Sequence, residues 1–209
     1  MNKTLIIGAS GKIGRILLNE YTGSISPAVA MVRDSNKANF PDSVDVIEAD
    51  LEKDISAVMK GCSTVIFTAG SGAGTGLEKT LLVDLWGARK AIDAAKESGV
   101  EHFIMVSSRG ADNPDNGPER IKPYLVAKHF ADEYLIQSGL NYTILRPGRL
   151  TDEAGTGLIK TNRPENPDEQ FISRQDTAKA VLHCLNNKAV VNKIFELFEG
   201  QETIESAIT

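Results

Sequence analysis

TLIIGASGKIG, residues Thr4–Gly14, is the segment that decides the fold. Its first four residues are apolar or β-branched and predict a short buried strand. Glycines follow at Gly8, Gly11 and Gly14, and an apolar helical face begins at Ile13. A strand that ends on a glycine turn and passes directly into a helix is typical of the first unit of a doubly wound α/β sheet.

The rest of the chain repeats this alternation of short apolar runs and longer amphipathic segments. The predicted strands are Thr4–Ile7, Val29–Val32, Val44–Glu48, Thr64–Phe67, His102–Val106, Tyr142–Leu145 and Ile194–Leu197. The predicted helical faces and segments are Ile13, Ile16 and Leu17; Leu81, Leu82, Leu85, Ala88, Ile92 and Ala95; Tyr124–Ser138 before a cap at Gly139; and Arg174–Asn186. We therefore expect a parallel sheet covered by helices on both faces.

Length and composition fit one globular domain. The 209 residues predict a single domain over 1–209, with a small carboxyl-terminal substrate lobe at about 147–190. The formal charge of -5 carries no basic excess, so we expect no nucleic-acid partner. No apolar run approaches the roughly 20 residues that span a bilayer. The amino terminus lacks the pattern of an export signal, so we expect no membrane partner and a cytoplasmic location.

The two cysteines and three histidines give no pattern of a metal site. Cys62 and Cys184 lie far apart without accompanying histidines, so we expect core residues in a reducing compartment. His102, His129 and His183 are scattered without the spacing of metal ligands. We therefore predict no bound metal.

The glycine turn indicates a dinucleotide cofactor. Glycines at these positions permit the tight turn, let the backbone approach a pyrophosphate and pack the helix against the strand. The amide N–H groups of the helix start then hold the diphosphate. The residues expected around it are Gly8, Ser10, Gly11, Lys12, Ile13 and Gly14.

The end of the second predicted strand bears on which dinucleotide binds. An NAD site usually places an acidic residue there to accept the ribose hydroxyls, whereas this chain has Arg33. A guanidinium can form a forked, charge-assisted pair with a 2′-phosphate, which favours NADP(H). Asp34 follows directly, so NAD(H) stays as the alternative. Asp50 and Leu51, after the third strand, are expected at the adenine edge.

Three loops that follow strands are expected to form the rim of the site. They are Thr68–Gly76, Gly110–Pro123 and Thr151–Gln170. In an open α/β sheet the ligand lies beyond the carboxyl ends of the strands. We assign Thr68, Ala69 and Gly70 to the cofactor site on this ground.

Seven motifs in a fixed order carry a family resemblance. They are GASGKIG (8–14), VRD (32–34), ADL (49–51), VDLWGA (83–88), VSS (106–108), YLVAK (124–128) and LRPG (145–148). In this order they resemble the atypical branch of the short-chain dehydrogenase/reductase superfamily. Its members are single-domain NAD(P)H-binding Rossmann proteins related to the NAD-dependent epimerases/dehydratases and to the NmrA-like and flavin reductase groups. The resemblance covers nearly the whole chain.

The resemblance implies catalytic roles for three residues. In active members a YxxxK helix supplies a tyrosine acid/base and a lysine that binds the nicotinamide ribose, and Tyr124 and Lys128 match it. Residues four apart share a helical face, so the ammonium is expected to lower the pKa of the phenol. The family serine that orients the substrate oxygen aligns with Ser108. The alternative is a partly exposed tyrosine beside a solvated lysine.

The resemblance also places residues at the nicotinamide end. Ser107, Lys128, Pro147 and Gly148 are implied there. Asp84 stands where many catalytic members have asparagine. Its carboxylate is expected either to anchor Lys128 through water or to act as a structural cap.

Three functions remain open from the sequence. The first is an NADP(H)-dependent oxidoreductase or epimerase that moves hydride between the nicotinamide and a small carbonyl or hydroxyl substrate. The second is an NADPH reductase of the flavin or biliverdin type, and the third is a non-catalytic sensor of NADP(H). Only about 60 residues follow the sixth strand, so we expect a compact substrate. The oligomeric state is open.

Overall fold

Short strands and helices alternate along the chain, as expected for an α/β protein. The computed structural model describes residues 2–21, 26–72 and 74–209. The strands are β1 (Lys3–Ile7), β2 (Ala28–Val32), β3 (Val44–Glu48), β4 (Cys62–Phe67), β5 (His102–Val106), β6 (Tyr142–Pro147), β7 (Arg149–Thr151), β8 (Leu158–Lys160), β9 (Phe171–Ser173), β10 (Lys193–Glu199) and β11 (Glu202–Thr203). The helices are α1 (Lys12–Glu20), α2 (Leu77–Lys79), α3 (Trp86–Glu97), α4 (Lys122–Gln137), α5 (Arg174–Cys184) and α6 (Ile204–Ala207). Ala73, inside the predicted rim loop, lies outside the described residues.

The main sheet has a doubly wound order. Its strands run β11-β8-β10-β6-β5-β4-β1-β2-β3, and the neighbours from β10 to β3 pair in parallel. β8 and β11 are antiparallel additions at one edge. The strand order reverses between β1 and β4, and in such sheets the ligand crevice opens at that reversal. The predicted Rossmann fold is confirmed.

The sheet is buried on both faces, as the apolar runs predict. In β1, Ile6 packs into the layer that α1 and α5 cover. Leu5 and Ile7 pack into the opposite layer, which α3 and α4 cover. Successive strand residues point to opposite faces, so a strand buried on both faces has no polar alternation.

Several strands and helices begin or end at residues other than those predicted. Most predicted strands are longer than expected by one to three residues, and β7, β8, β9 and β11 were not predicted because they contain only two or three residues. The last long helix ends at Cys184, not at Asn186, which has a left-handed backbone with φ of 56°. The glycine cap at Gly139 is confirmed by its φ of +84°.

The predicted leucine face after the glycine-rich loop is wrong at its start. Leu81 and Leu82 are 57% and 39% exposed, because residues Thr80–Leu85 form a π-helical turn. Bonds from i to i+5 widen the turn and shift the side chains relative to an α-helix. Thr80 and Asp84 face inward instead. The face recovers in α3, where the predicted alanines and isoleucine are buried.

The carboxyl-terminal part both joins the main sheet and carries a small pair of strands. β7 and β9 pair in parallel apart from the main sheet, while α5 packs beside α1. The division into a domain and a lobe at 147–190 stays a prediction. Cys62 and Cys184 are buried, as predicted, and burial raises the pKa of Cys184 to about 12. Within the described ranges, no helix has both the length and the apolar character needed to span a bilayer.

Candidate cofactor and catalytic site

The turn after β1 is built so tightly that its glycines are required. Gly8 has a φ of +90°, and a Cβ there would lie 2.6 Å from the backbone nitrogen of Ala69. The Gly11 N–H donates to the Gly8 oxygen at 2.9 Å, which closes the turn. A Cβ on Gly14 would lie 2.4 Å from that same oxygen. The turn therefore packs α1 directly on β1 and leaves a bare backbone cradle that suits a diphosphate.

The substitution Gly14→Ala is expected to lower both stability and cofactor affinity. The methyl group meets backbone atoms, so α1 must move away from the strand, and such overpacking typically costs about 1–3 kcal/mol. Urea unfolding and a fluorescence titration with NADPH measure the two effects. Gly74→Ala is the matched control, because a Cβ at Gly74 meets nothing within 4 Å. Equal stability and affinity in the two variants would contradict the packing role of Gly14.

A cavity of about 340 Å³ opens beside this turn at the carboxyl ends of β1, β2, β3 and β4. The predicted cofactor residues that line it are Gly8, Ser10, Gly11, Arg33, Asp50, Leu51, Thr68, Ala69 and Gly70. Lining residues that were not assigned to the cofactor by number are Ile7, Met31, Val32, Ala49, Glu52, Ser71, Thr75, Lys79 and Val83, of which Ser71 and Thr75 belong to the predicted rim loop. Ile7, Val32 and Ala49 lie at or directly after the end of a strand, which is the signal that would have found them. Together with the glycine cradle, this cavity fits the adenosine and phosphate part of a dinucleotide.

Arg33 and Asp34 differ in their surroundings. Arg33 is exposed at the cavity wall and forms no hydrogen bond or ion pair within the part of the chain that the structure describes. Asp34 instead caps the short turn that follows it, where its Oδ1 accepts from the Asn36 backbone N–H at 3.1 Å. The guanidinium is therefore available to a ligand, while a carboxylate oxygen of Asp34 is engaged by its own turn.

The remaining predicted cofactor residues lie beyond the walls of this cavity. Ile13 packs in the core, and the Lys12 ammonium pairs with Asp152 at 2.6 Å. Ser107 is buried. Pro147 is the last residue of β6, and Gly148 follows it. A Cβ on Gly148 would lie 2.6 Å from the Gln170 backbone oxygen, so this turn is also closely packed.

The structure brings the predicted catalytic residues together at the end of β5. Tyr124 and Lys128 share one face of α4, with the Lys128 Nζ 5.9 Å from the centre of the phenol ring. That ammonium donates to the Val106 backbone oxygen at 3.3 Å, which fixes α4 against the strand end. Ser108 follows β5 directly, and its hydroxyl lies close enough to Tyr124 to favour the ionised phenol. The alternative is wrong for the lysine, because the Lys128 side chain is 3% exposed, whereas Tyr124 is partly exposed, as that alternative has it.

Asp84 contacts the lysine directly. Its Oδ1 lies 3.6 Å from the Lys128 Nζ, and the Asp84 side chain is fully buried. Its Oδ2 accepts from the Ser71 backbone N–H at 3.0 Å. The carboxylate therefore anchors the lysine and at the same time holds the glycine-rich loop after β4. The π-helical turn is what brings it there.

The expected fall in the pKa of Tyr124 is wrong for the protein without a ligand. Burial raises the pKa of the phenol, and this outweighs the opposing effect of the Lys128 ammonium. Burial also disfavours the ammonium, but Tyr124, Asp84 and Asp132 outweigh it and raise the pKa of Lys128. The pair thus rests as a neutral phenol, which can donate a proton, beside a charged ammonium.

A second buried ion pair joins α4 to β6. The Arg146 Nε lies 2.9 Å from Asp132 Oδ2, and both side chains are largely buried. Burial raises the pKa of Asp132, and Arg146 opposes that rise. The buried side-chain oxygens left without a hydrogen-bond partner in the described residues are Asp84 Oδ1, Asp132 Oδ1 and Ser107 Oγ. They lie around Lys128, so this region is polar beneath the proposed nicotinamide site.

The histidines have ordinary partners. These are Thr143 Oγ1 at 2.9 Å for His102, the Ala111 oxygen at 2.7 Å for His129 and the Ile208 oxygen at 3.0 Å for His183. Across the described ranges no three side chains of histidine, cysteine, aspartate or glutamate are grouped as metal ligands.

Comparisons with known proteins agree with this geometry. The profile of a family described as NAD(P)H-binding matches residues 8–188. The chain is 45% identical over 212 residues to YhfK of Bacillus subtilis (strain 168), an uncharacterized sugar epimerase, covering 99% of this chain and 98% of that protein. It matches the structure of a Bacillus halodurans protein assigned to the NAD-dependent epimerases/dehydratases with a TM-score of 0.93 and 38% identity, over 100% and 99% of the two chains. It also matches ChuY, an anaerobillin reductase from Escherichia coli O157:H7, with a TM-score of 0.76 and 28% identity, over 95% and 97%.

Proposed function

Because the chain belongs to the NAD(P)H-binding family of atypical short-chain dehydrogenases/reductases, we propose that it is an NADP(H)-dependent oxidoreductase or epimerase. It transfers hydride between the nicotinamide and a small carbonyl or hydroxyl compound. The observation that carries the proposal is the grouping of Ser108, Tyr124 and Lys128 at the same sheet edge as the glycine cradle. A cofactor that spans from one to the other would place its reactive ring beside the phenol.

The residues then have distinct tasks in reduction. The bound nicotinamide supplies the hydride. As the carbonyl carbon gains the new C–H bond, the C=O π electrons move to the oxygen, which takes the proton of the Tyr124 hydroxyl. Ser108 orients that oxygen by a hydrogen bond, and the Lys128 ammonium stabilises the phenolate that is left until solvent returns its proton.

NADP(H) is the proposed cofactor because of Arg33. Its guanidinium lies at the cavity wall without a partner among the described residues, where it is available to a 2′-phosphate. Asp34 caps its own turn and is less available to the ribose hydroxyls of NAD(H). Parallel fluorescence titrations of the wild-type chain with NADPH and NADH test this choice directly.

Arg33→Gln is expected to weaken NADPH binding by about tenfold to a hundredfold, the range for one lost charge-assisted contact. NADH binding should stay unchanged, because NADH has no phosphate for Arg33 to contact. Arg89→Gln, which removes an exposed guanidinium on α3, is the control for a change in overall charge. Equal affinity of the wild-type chain for both cofactors would remove the phosphate role of Arg33.

The likeness to ChuY favours a second candidate, an NADPH reductase of the flavin or biliverdin type. In that case the substrate ring stacks over the nicotinamide and the reaction needs no tyrosine acid. Rapid reduction of free FMN by NADPH that is insensitive to Tyr124→Phe would favour this candidate over the first.

A non-catalytic sensor is the third candidate. A sensor binds NADP(H) but has no use for a half-buried phenol held beside a buried ammonium. A screen for NADPH oxidation against aldehydes, quinones, flavins and sugar nucleotides separates it from both enzymes. Tight binding without oxidation of NADPH by any of these classes would support the sensor.

A further inference from the structure

Arg109 is the first residue after the serine pair, so its backbone adjoins the proposed catalytic group. Its backbone N–H donates to the Pro147 oxygen at 2.9 Å, which ties it to the end of β6. Its guanidinium donates through Nη1 to the Gln170 side chain. Gln170 is itself buried and donates to the Pro164 oxygen at 2.7 Å. A fixed, buried glutamine therefore holds the half-buried guanidinium of the residue that follows Ser108.

The charge of Arg109 is only partly compensated by the described residues, since Glu196 acts on it but is bound by Arg163. No carboxylate of the described residues forms an ion pair with it, although five N–H groups of a guanidinium are available to acceptors. The buried side-chain atoms without partners belong to other residues, so the remaining Arg109 N–H groups reach solvent-accessible space. A half-buried, unpaired cation is unusual, since burying a charge is unfavourable unless an opposite charge compensates it.

The charged groups around Arg109 leave an excess of positive charge, because Arg163 and Arg149 act on it together with the single carboxylate of Glu196. Arg163 is already neutralised, with its Nη2 at 2.7 Å from Asp112 Oδ1 and its Nε at 2.8 Å from Glu196 Oε2. Arg149 is exposed, and its backbone N–H donates to the Gln170 oxygen at 2.8 Å, so Gln170 links it to Arg109. Burial lowers the pKa of Arg109, and the nearby Arg163 and Arg149 lower it further while Glu196 opposes them.

We propose that the substrate carries an anionic group, a carboxylate or a phosphate, and that Arg109 binds this group with Arg149 as a second cation. This inference rests on the proposed hydride transfer, because Arg109 would bind the same substrate that Ser108 and Tyr124 contact. The anion balances the excess positive charge around Arg109, and Gln170 presents the planar guanidinium ready to form two parallel hydrogen bonds. The site therefore selects compounds in which a negative group lies on the far side of the reacting carbonyl or hydroxyl.

A matched pair of aldehydes tests the selection. NADPH oxidation is measured with para-carboxybenzaldehyde and with its uncharged methyl ester, which differ at the predicted anion position. The wild-type chain should prefer the acid by about tenfold or more in kcat/KM, as expected for one charge-assisted contact. Arg109→Gln should abolish the preference by weakening reaction of the acid alone, and Arg109→Lys should restore part of it. Arg89→Gln should keep the full preference, and thermal unfolding should show that all variants are folded.

The outcomes separate this inference from the proposed function. Equal rates for acid and ester in the wild-type chain, or an unchanged preference in Arg109→Gln, would overturn the anion site. If neither aldehyde is reduced, the oxidoreductase proposal is in question. A measurement of anion binding then tests the role of Arg109 independently of the reaction. Saturation-transfer NMR in the presence of NADP⁺ compares benzoate and phenyl phosphate with benzamide. Binding of either anion that is lost in Arg109→Gln supports the site and tells which anion it prefers, whereas no anion binding in the wild-type chain overturns it.

Discussion

Tyr124→Phe is expected to lower kcat by about 100- to 10,000-fold, the range for loss of one positioned general acid. The carbonyl compound is the one that the wild-type chain reduces fastest, and stopped-flow single turnovers report the hydride step itself. The phenylalanine ring fills the same space beside Lys128, so the NADPH affinity and the unfolding temperature should stay unchanged. The loss should fall on kcat and on kcat/KM alike, since the proton is transferred in the transition state.

The pH profile gives an independent reading of the same role. The reduction needs the protonated phenol, and burial raises the pKa of Tyr124. The wild-type rate should therefore be constant through neutral pH and fall only when the pH exceeds that raised pKa. Ser108→Ala serves as the comparison, because it removes the orienting donor but keeps the acid, and its profile should retain the same alkaline fall. A Tyr124→Phe variant with full activity would refute the assignment.

Asp84→Ala is expected to destabilise the protein by about 3–5 kcal/mol, the range for breaking a buried ion pair by removing one partner. The Lys128 side chain is 3% exposed and keeps the Val106 backbone oxygen as an acceptor, but it would lose its contacting carboxylate. The lysine can escape only by losing its proton, and lowering an ordinary lysine pKa of about 10.4 to neutrality costs a similar amount, about 4–5 kcal/mol. Urea unfolding at neutral pH measures the loss.

A double-mutant cycle isolates the ion pair from the other contacts of Asp84. Lys128→Met alone leaves a buried carboxylate, so it too should destabilise, whereas Asp84→Ala/Lys128→Met should lose less than the sum of the two single changes. Any loss that remains reports the other contacts of the two side chains, among them the bonds from the Ser71 N–H and to the Val106 oxygen. Strict additivity of the two changes would mean that the carboxylate and the ammonium do not interact.

The parts of the fold and site that sequence reasoning predicted are those that depend on local patterns. The turn from Gly8 to Gly14 follows from the spacing of three glycines between a strand and a helix, and the structure shows the steric reason for each end. Tyr124 and Lys128 meet because they lie four residues apart on one helix. Arg33 could be placed at the cavity because it follows a strand whose carboxyl end faces the crevice.

The parts that were missed depend on contacts between distant segments. Arg109 looks like an ordinary loop arginine until Gln170, 61 residues away, holds it and no described carboxylate forms an ion pair with it. The pKa of Tyr124 depends on how completely the surrounding elements remove water, and helical spacing carries no information about that. The strands β7, β8, β9 and β11 exist through pairing alone, since two or three residues are too few to show a period.

The π-helical turn at Thr80–Leu85 also has a consequence for protein engineering. It holds one more residue than an α-helical turn. It therefore changes the direction in which the side chains before it point relative to those of α3. Deleting one residue within it would restore an even α-helical winding and change which side chains of the turn face inward. The acid opposite Lys128 would then rotate out of reach, although no residue of the catalytic group had been replaced. Deleting one residue from this turn would therefore alter the chemistry of the site.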